Sequence, residues 1–201
     1  MRAEPYWLDP LTHLRRQRPD HAVMYFSPMV LQRQAARFLQ GFPGMVTYAV
    51  KANARPEVLV NLAAAGIEGF DVASPAEMEA ARQANPQAAL HYNNPVRTPD
   101  EVAQAVRFGV CSASVDSLSE LEKLAPLGPI EVSVRLALPV AGAVYDFGEK
   151  FGVGPEAAVD LLREVAARGH SPAMTFHPGT QCSDPEAWVS YIRVAADVAA
   201  R

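Results

Sequence analysis

The sequence predicts an α/β protein, a TIM (β/α)8-type barrel that breaks off after about six strand–helix units. Three observations carry that prediction. Short apolar runs alternate with amphipathic, Ala- and Leu-rich stretches. Tetrapeptides that mark helix starts recur directly after the runs. Nearly every run also closes on a polar or ionisable residue.

In chain order, residues 1–20 carry prolines at positions 5, 10 and 19 and read as irregular, so 1–21 is set apart as an N-terminal segment. AVMYF (22–26) reads as a short strand and SPMVLQRQAARFL (27–39) as a helix. The alternation then begins, and residues 22–201 are assigned to a partial barrel. Its apolar runs are MVTYAV (45–50), GFDVA (69–73), ALHYN (89–93), VCSASVD (110–116), IEVSVRLAL (130–138) and PAMTFH (172–177). Between them lie helical segments such as PEVLVNLAAAG (56–66), PAEMEAARQA (75–84) and PEAAVDLLREVAARG (155–169). In the last of these, apolar positions recur near helical spacing.

SPAE (74–77), TPDE (98–101), SLSE (117–120) and SDPE (183–186) each place a hydroxyl three residues before a glutamate. That is the capping-box signature, and two of the four have proline at the first helical position. Repeated strand–helix units imply parallel strands. No G-x-G-x-x-G follows the first strand, which argues against an open dinucleotide-binding sheet. The run-closing residues are Lys51, Asp71, Asn93, Asp116, Arg135 and His177. Barrel active sites are built from such strand ends. A closed barrel needs eight units, so a chain with six reads as part of a longer protein whose C-terminal portion lies outside it.

Composition narrows the function classes. The chain has 201 residues, 49 % of them apolar and 20 % charged. This suits one packed domain rather than a disordered chain. A net charge of −4 and a pI near 5.7 give no reason to expect nucleic acid or an anionic membrane as partner. Apolar runs are too short for a membrane span, and the first ten residues do not read as a secretion signal. Cys111 and Cys182 read as free thiols of a reducing, cytoplasmic compartment.

The candidate site residues each admit two readings. Lys51, in YAVKAN, is either a solvated loop charge or a Schiff-base lysine desolvated at the end of a buried strand. His177, in TFHPGTQCSD, either caps a strand or presents a flat imidazole to an aromatic cofactor. The turn Gly179–Thr180–Gln181 and the helix start after it suit an anion such as phosphate. Glu77 is most simply the capping partner of Ser74, and Asp71 is either a structural acceptor or a site residue. Arg135, inside an apolar strand, needs an anionic partner. A nucleophilic Cys182 would need a base such as His177, which belongs to a different element. The five histidines show no metal-ligand spacing and neither cysteine sits in a C-x-x-C pair, so no metal site is assigned.

Taken in order, YAVKAN, GFDVASPAEME, HYNNPVR, SVDSLSELEKL, VRLA with KFG (150–152), and FHPGTQCSDPEAW resemble the N-terminal barrel of fold-type III pyridoxal-phosphate-dependent decarboxylases. These are the ornithine, lysine, arginine and diaminopimelate decarboxylases, whose barrel is alanine-racemase-like. The resemblance implies pyridoxal 5'-phosphate as cofactor, with Lys51 as the lysine that binds it covalently and His177 stacked on its ring. It implies that Asp71, Glu77 and Arg135 line or support the cofactor site. Thr180, in place of the family's usual serine, would touch the phosphate, and Lys150 would pair across a homodimer interface. A C-terminal β-domain of the family is absent from this chain. The implied reaction is decarboxylation of a basic amino acid, ornithine first and lysine next, with a place in polyamine biosynthesis. The 201-residue chain alone is expected to be inactive. Two alternatives are a non-catalytic regulatory homologue and a racemase or aldolase on the same barrel.

Overall fold

The computed structural model describes residues 6–138, 150–179 and 182–201. Six parallel strands form one sheet, hydrogen-bonded in chain order. They are β1 (Thr47–Ala49), β2 (Gly69–Val72), β3 (Ala89–Tyr92), β4 (Ser112–Val115), β5 (Glu131–Leu136) and β6 (Ser171–Phe176). Helices α3 (Pro56–Ala64), α4 (Pro75–Ala84), α5 (Pro99–Phe108), α6 (Leu118–Glu122) and α7 (Pro155–Ala167) connect them, and α8 (Pro185–Ala199) follows β6. Each run predicted as a barrel strand contains one, although β1 keeps only three residues because Val50–Ala52 winds into a 3-10 turn.

Two expectations for the N-terminus are corrected. Residues 10–17 are not irregular but form helix α1 (Pro10–Gln17). Its first proline sits where a helix needs no N–H, and Asp9 caps it, accepting from the Thr12 N–H and hydroxyl, each at 2.8 Å. Residues 22–26 form no strand. Tyr25 is instead tied to His13 Nδ1 at 2.7 Å, and Met24 is exposed, so nothing pairs with this backbone. The predicted helix that follows is α2 (Pro28–Gly41).

Helix starts follow the predicted chemistry with one substitution. Ser74, Thr98 and Ser117 cap α4, α5 and α6, but only Thr98 and Glu101 close a reciprocal box. The Glu77 carboxylate reaches one residue further back, to the Ala73 N–H at 2.8 Å. In SDPE the cap is Asp184 rather than Ser183, because Pro185 takes the first helical position. Among the described residues only α6 lacks a proline at its start.

Alternation along the strands sorts the residues into two faces. Phe70, Val72, Leu90, Tyr92, Ala113, Val115, Val132, Val134 and Leu136 face the helices and form the core with Leu59, Leu62, Met78, Ala105, Leu121 and Val165. The opposite face carries Gly69, Asp71, Ala89, His91, Ser112, Ser114, Ser133 and Arg135, which are small or polar. Behind β5, Tyr191 of α8 holds the chain where it leaves the strand. Its hydroxyl accepts from Leu138 N–H at 3.0 Å and donates to Leu138 C=O at 3.1 Å, while its ring stacks on Phe176. Tyr191→Phe keeps the stacking and strips both bonds, and we expect a loss of about 1–3 kcal/mol in a urea unfolding curve.

Candidate active site

The two-residue repeat of the strands places six polar side chains on one rim. One hydrogen-bonded row crosses the whole sheet: Ala49, Asp71, His91, Ser112, Glu131 and Ser171. Counting along each strand from that row, Lys51 and Asn93 lie two residues on, Asp116 and Arg135 four, and His177 six. All are even steps along or just past the strands, except that Lys51 lies on a 3-10 turn and is placed at this rim by its charge acting on Asp71 and His177. Their increasing offset is the stagger that tilted barrel strands require.

Lys51 stands where β1 ends. It sits on the 3-10 turn after β1, while the neighbouring Val50 is fully buried. β1 and β6 are the edges of the described sheet, and Lys51 stands at the first of them. Asp71, next to it, is half-buried. Burial holds its carboxyl above the usual carboxylate range, against the pull of the Asn93 amide and the charge of Lys51, with Glu77 pushing it further up. Glu77 therefore acts twice, as a cap acceptor and as a negative charge behind Asp71. Arg135 is half-buried at the far side. Burial weakens its hold on the proton, and Asp116, Tyr191 and Asp71 oppose that.

His177 closes the rim. Its Nδ1 accepts the Gly179 N–H at 3.0 Å, which puts the proton of the neutral ring on Nε2. Burial depresses its pKa below the ordinary 6.5, and the charges of Arg135 and Lys51 depress it further. A neutral, planar imidazole thus stands between two cations. The unfolded chain takes up this proton near 6.5 and the folded chain only at lower pH. Stability from this residue is therefore complete above 6.5 and is lost as pH falls through the folded value. An NMR titration of labelled histidines, assigned with His177→Gln, should place the His177 midpoint below 6.5. A midpoint at or above 6.5 would contradict this environment.

The expected phosphate seat falls largely outside the described residues. Thr180 and Gln181 lie outside the described residues. The start of α8 does not suit an anion, since the Asp184 carboxylate already caps it, accepting from Glu186 N–H at 3.0 Å, and Glu186 adds a second negative charge. Cys182 Sγ is directed to the Asp184 carbonyl at 3.7 Å rather than to a base. Both cysteines are free, and no group of possible metal ligands occurs among the described residues.

Residues 29–201 match the family described as pyridoxal-dependent decarboxylase, pyridoxal binding domain. The chain belongs to that family. A lysine/ornithine decarboxylase of Selenomonas ruminantium is 36 % identical over 153 residues, covering 75 % of this chain and 39 % of that protein. The crystal structure of a SrLDC variant in complex with PLP superposes with a TM-score of 0.82 at 30 % identity, covering 94 % of this chain and 50 % of that one. A lysine/ornithine decarboxylase from Vibrio vulnificus, complexed with putrescine, gives a TM-score of 0.73 at 26 % identity over 85 % of this chain and 46 % of its own. The chain thus spans half or less of the length of these proteins. The parallel sheet is that of a decarboxylase barrel domain, as predicted.

The rim of this pyridoxal-binding domain fits pyridoxal phosphate. The cofactor is a flat ring bearing an aldehyde and a phosphate, and the rim offers an amine, a planar neutral ring and a guanidinium on one face. Sequence reasoning named Asn93 and Asp116 as strand ends without giving them work. In the fold Asn93 supports Asp71, and Asp116 accepts the Gly152 N–H at 3.1 Å. Their even spacing from His91 and Ser114 was the available signal.

Proposed function

We propose that the protein carrying this domain decarboxylates a basic amino acid with pyridoxal phosphate, ornithine first and lysine next, releasing the corresponding amine and CO2. The observation that carries the reading is the shared rim of Lys51, Asp71, Arg135 and His177, on a chain whose relatives include lysine/ornithine decarboxylases. When bound, the cofactor supplies an electron sink for the bond that breaks. Lys51 provides the amine that holds and releases it. Asp71 stands beside Lys51 as the carboxylate able to balance or take a proton there. His177 offers its ring face and keeps its proton on Nε2. Arg135 supplies a fixed positive charge across the mouth, and Thr180 is assigned to the phosphate.

We further propose a cytoplasmic homodimer with a role in polyamine biosynthesis. Lys150, exposed and 5.1 Å from the Phe151 ring, is available to a second subunit. No described helix is long and apolar enough to cross a membrane. The protein expressed from its full open reading frame should release CO2 from ornithine or lysine in the presence of pyridoxal phosphate. Absence of CO2 from ornithine, lysine, arginine and diaminopimelate alike would remove this reading.

A further inference from the structure

We infer that Asp116 is a positioning residue for Arg135, latching residues 150–153 against the end of β5 and so fixing the guanidinium at the mouth. The inference rests on the reading of that mouth as a pyridoxal-phosphate site.

The chain returns to the rim at residues 150–153, and Val153 forms a parallel bridge with Leu136. Its N–H donates to Arg135 C=O at 2.9 Å, and its carbonyl accepts from Ala137 N–H at 2.9 Å. One residue earlier, Gly152 donates its N–H to Asp116 Oδ2 at 3.1 Å. Another residue back, the Phe151 ring lies 5.4 Å from the Arg135 guanidinium carbon. Arg135 is thus fixed through its own carbonyl, with its guanidinium over an aromatic face and in the field of the Asp116 carboxylate just past β4. Ser114 pairs with Ser133, so Asp116 falls level with Arg135. Of the charges acting on Arg135, that of Asp116 is foremost.

Gly152 makes the latch possible. Its φ is +107°, and a Cβ there would meet Ala137 Cβ at 3.0 Å and Arg135 O at 3.1 Å. Any side chain would push the segment off β5. Asp116 and Gly152 therefore form one device, with the acceptor just past the end of β4 and the only residue type that can approach it on the returning segment. Without it Arg135 keeps its charge but loses its direction, and misplacing a binding group by about an ångström costs on the order of a hundredfold in favourable cases.

The test uses the protein expressed from its full open reading frame, with Asp116→Ala, Asp116→Asn and Gly152→Ala. Amide hydrogen exchange of the apoprotein reads the latch, and fluorescence titration with pyridoxal phosphate reads the site. Asp116→Ala should speed exchange at Gly152 and Val153 and weaken cofactor binding by about tenfold or more. Asp116→Asn keeps an acceptor for Gly152, so exchange should stay near wild type and affinity should fall less. Gly152→Ala should match Asp116→Ala although Asp116 is intact. A merely structural role would lower the unfolding midpoint of Asp116→Ala and leave cofactor affinity of the folded protein unchanged, which overturns the inference. So would an Asn variant exchanging as fast as the Ala variant. Should Asp116→Ala not fold, comparison of Asp116→Asn with Gly152→Ala decides the matter. Failure of the wild type to bind pyridoxal phosphate refutes the functional reading instead, and the exchange data still judge the latch.

Discussion

On the proposed function, Lys51→Ala is expected to abolish covalent capture of pyridoxal phosphate and to lower decarboxylation by at least about a thousandfold. The expectation follows from what each rim residue can do. Among Lys51, Asp71, Arg135 and His177, only Lys51 carries a primary amine, and a nucleophile removed outright is not replaced by its neighbours. Borohydride reduction of the wild-type protein after mixing with pyridoxal phosphate should leave a pyridoxyl group on the peptide containing Lys51, read by mass spectrometry. The Ala variant should show none there. Lys51→Arg is the sharper control, since it keeps the positive charge beside Asp71 and His177 while removing the nucleophile. If Lys51→Arg still carries the label, the reacting lysine lies elsewhere. Lys150 is a nearby-rim alternative that the same digest would reveal.

Phe70→Ala should cost about 3–5 kcal/mol, the range expected for truncating a fully buried aromatic side chain. Phe70 is fully buried on the helix side of β2, among the core residues that α3 and α4 cover. Its neighbours in the sequence, Gly69 and Asp71, point the opposite way. The substitution therefore opens a cavity in the core without touching the rim. In a domain stable by roughly 5–15 kcal/mol this is a large fraction. A fall in the denaturant midpoint at unchanged slope, with cofactor affinity retained by the folded protein, would show that core and site occupy separate faces of the sheet. Loss of affinity in the folded variant would place Phe70 on the site side and break the face assignment.

Much of this was legible before any coordinates. Six apolar runs marked six strands, because each packs one face under the helices with apolar residues and ends near a polar residue at the rim. The rim was legible from residues that closed those runs. The N-terminal corrections have a common source. Proline was taken as a breaker at position 10, where it opens a helix, and AVMYF has strand composition without a partner strand. At the start of α8, serine and aspartate both offered a cap, and the position of Pro185 chose aspartate. Thr180 lies outside the described residues, and its role stands on the resemblance alone.

The alternation of strands and helices, the helix starts and the identity of the rim residues follow from local sequence, since these depend on neighbours a few positions apart. How they act together follows from the folded chain. Lys51 stands on a 3-10 turn beyond its strand rather than on the strand itself. Arg135 is oriented by a segment fifteen and more residues further on, through Gly152 and Asp116. Hydrogen bonds and fields between residues distant in the chain have no local signature, so the latch that aims Arg135 became visible only when β4, β5 and the returning segment lay side by side.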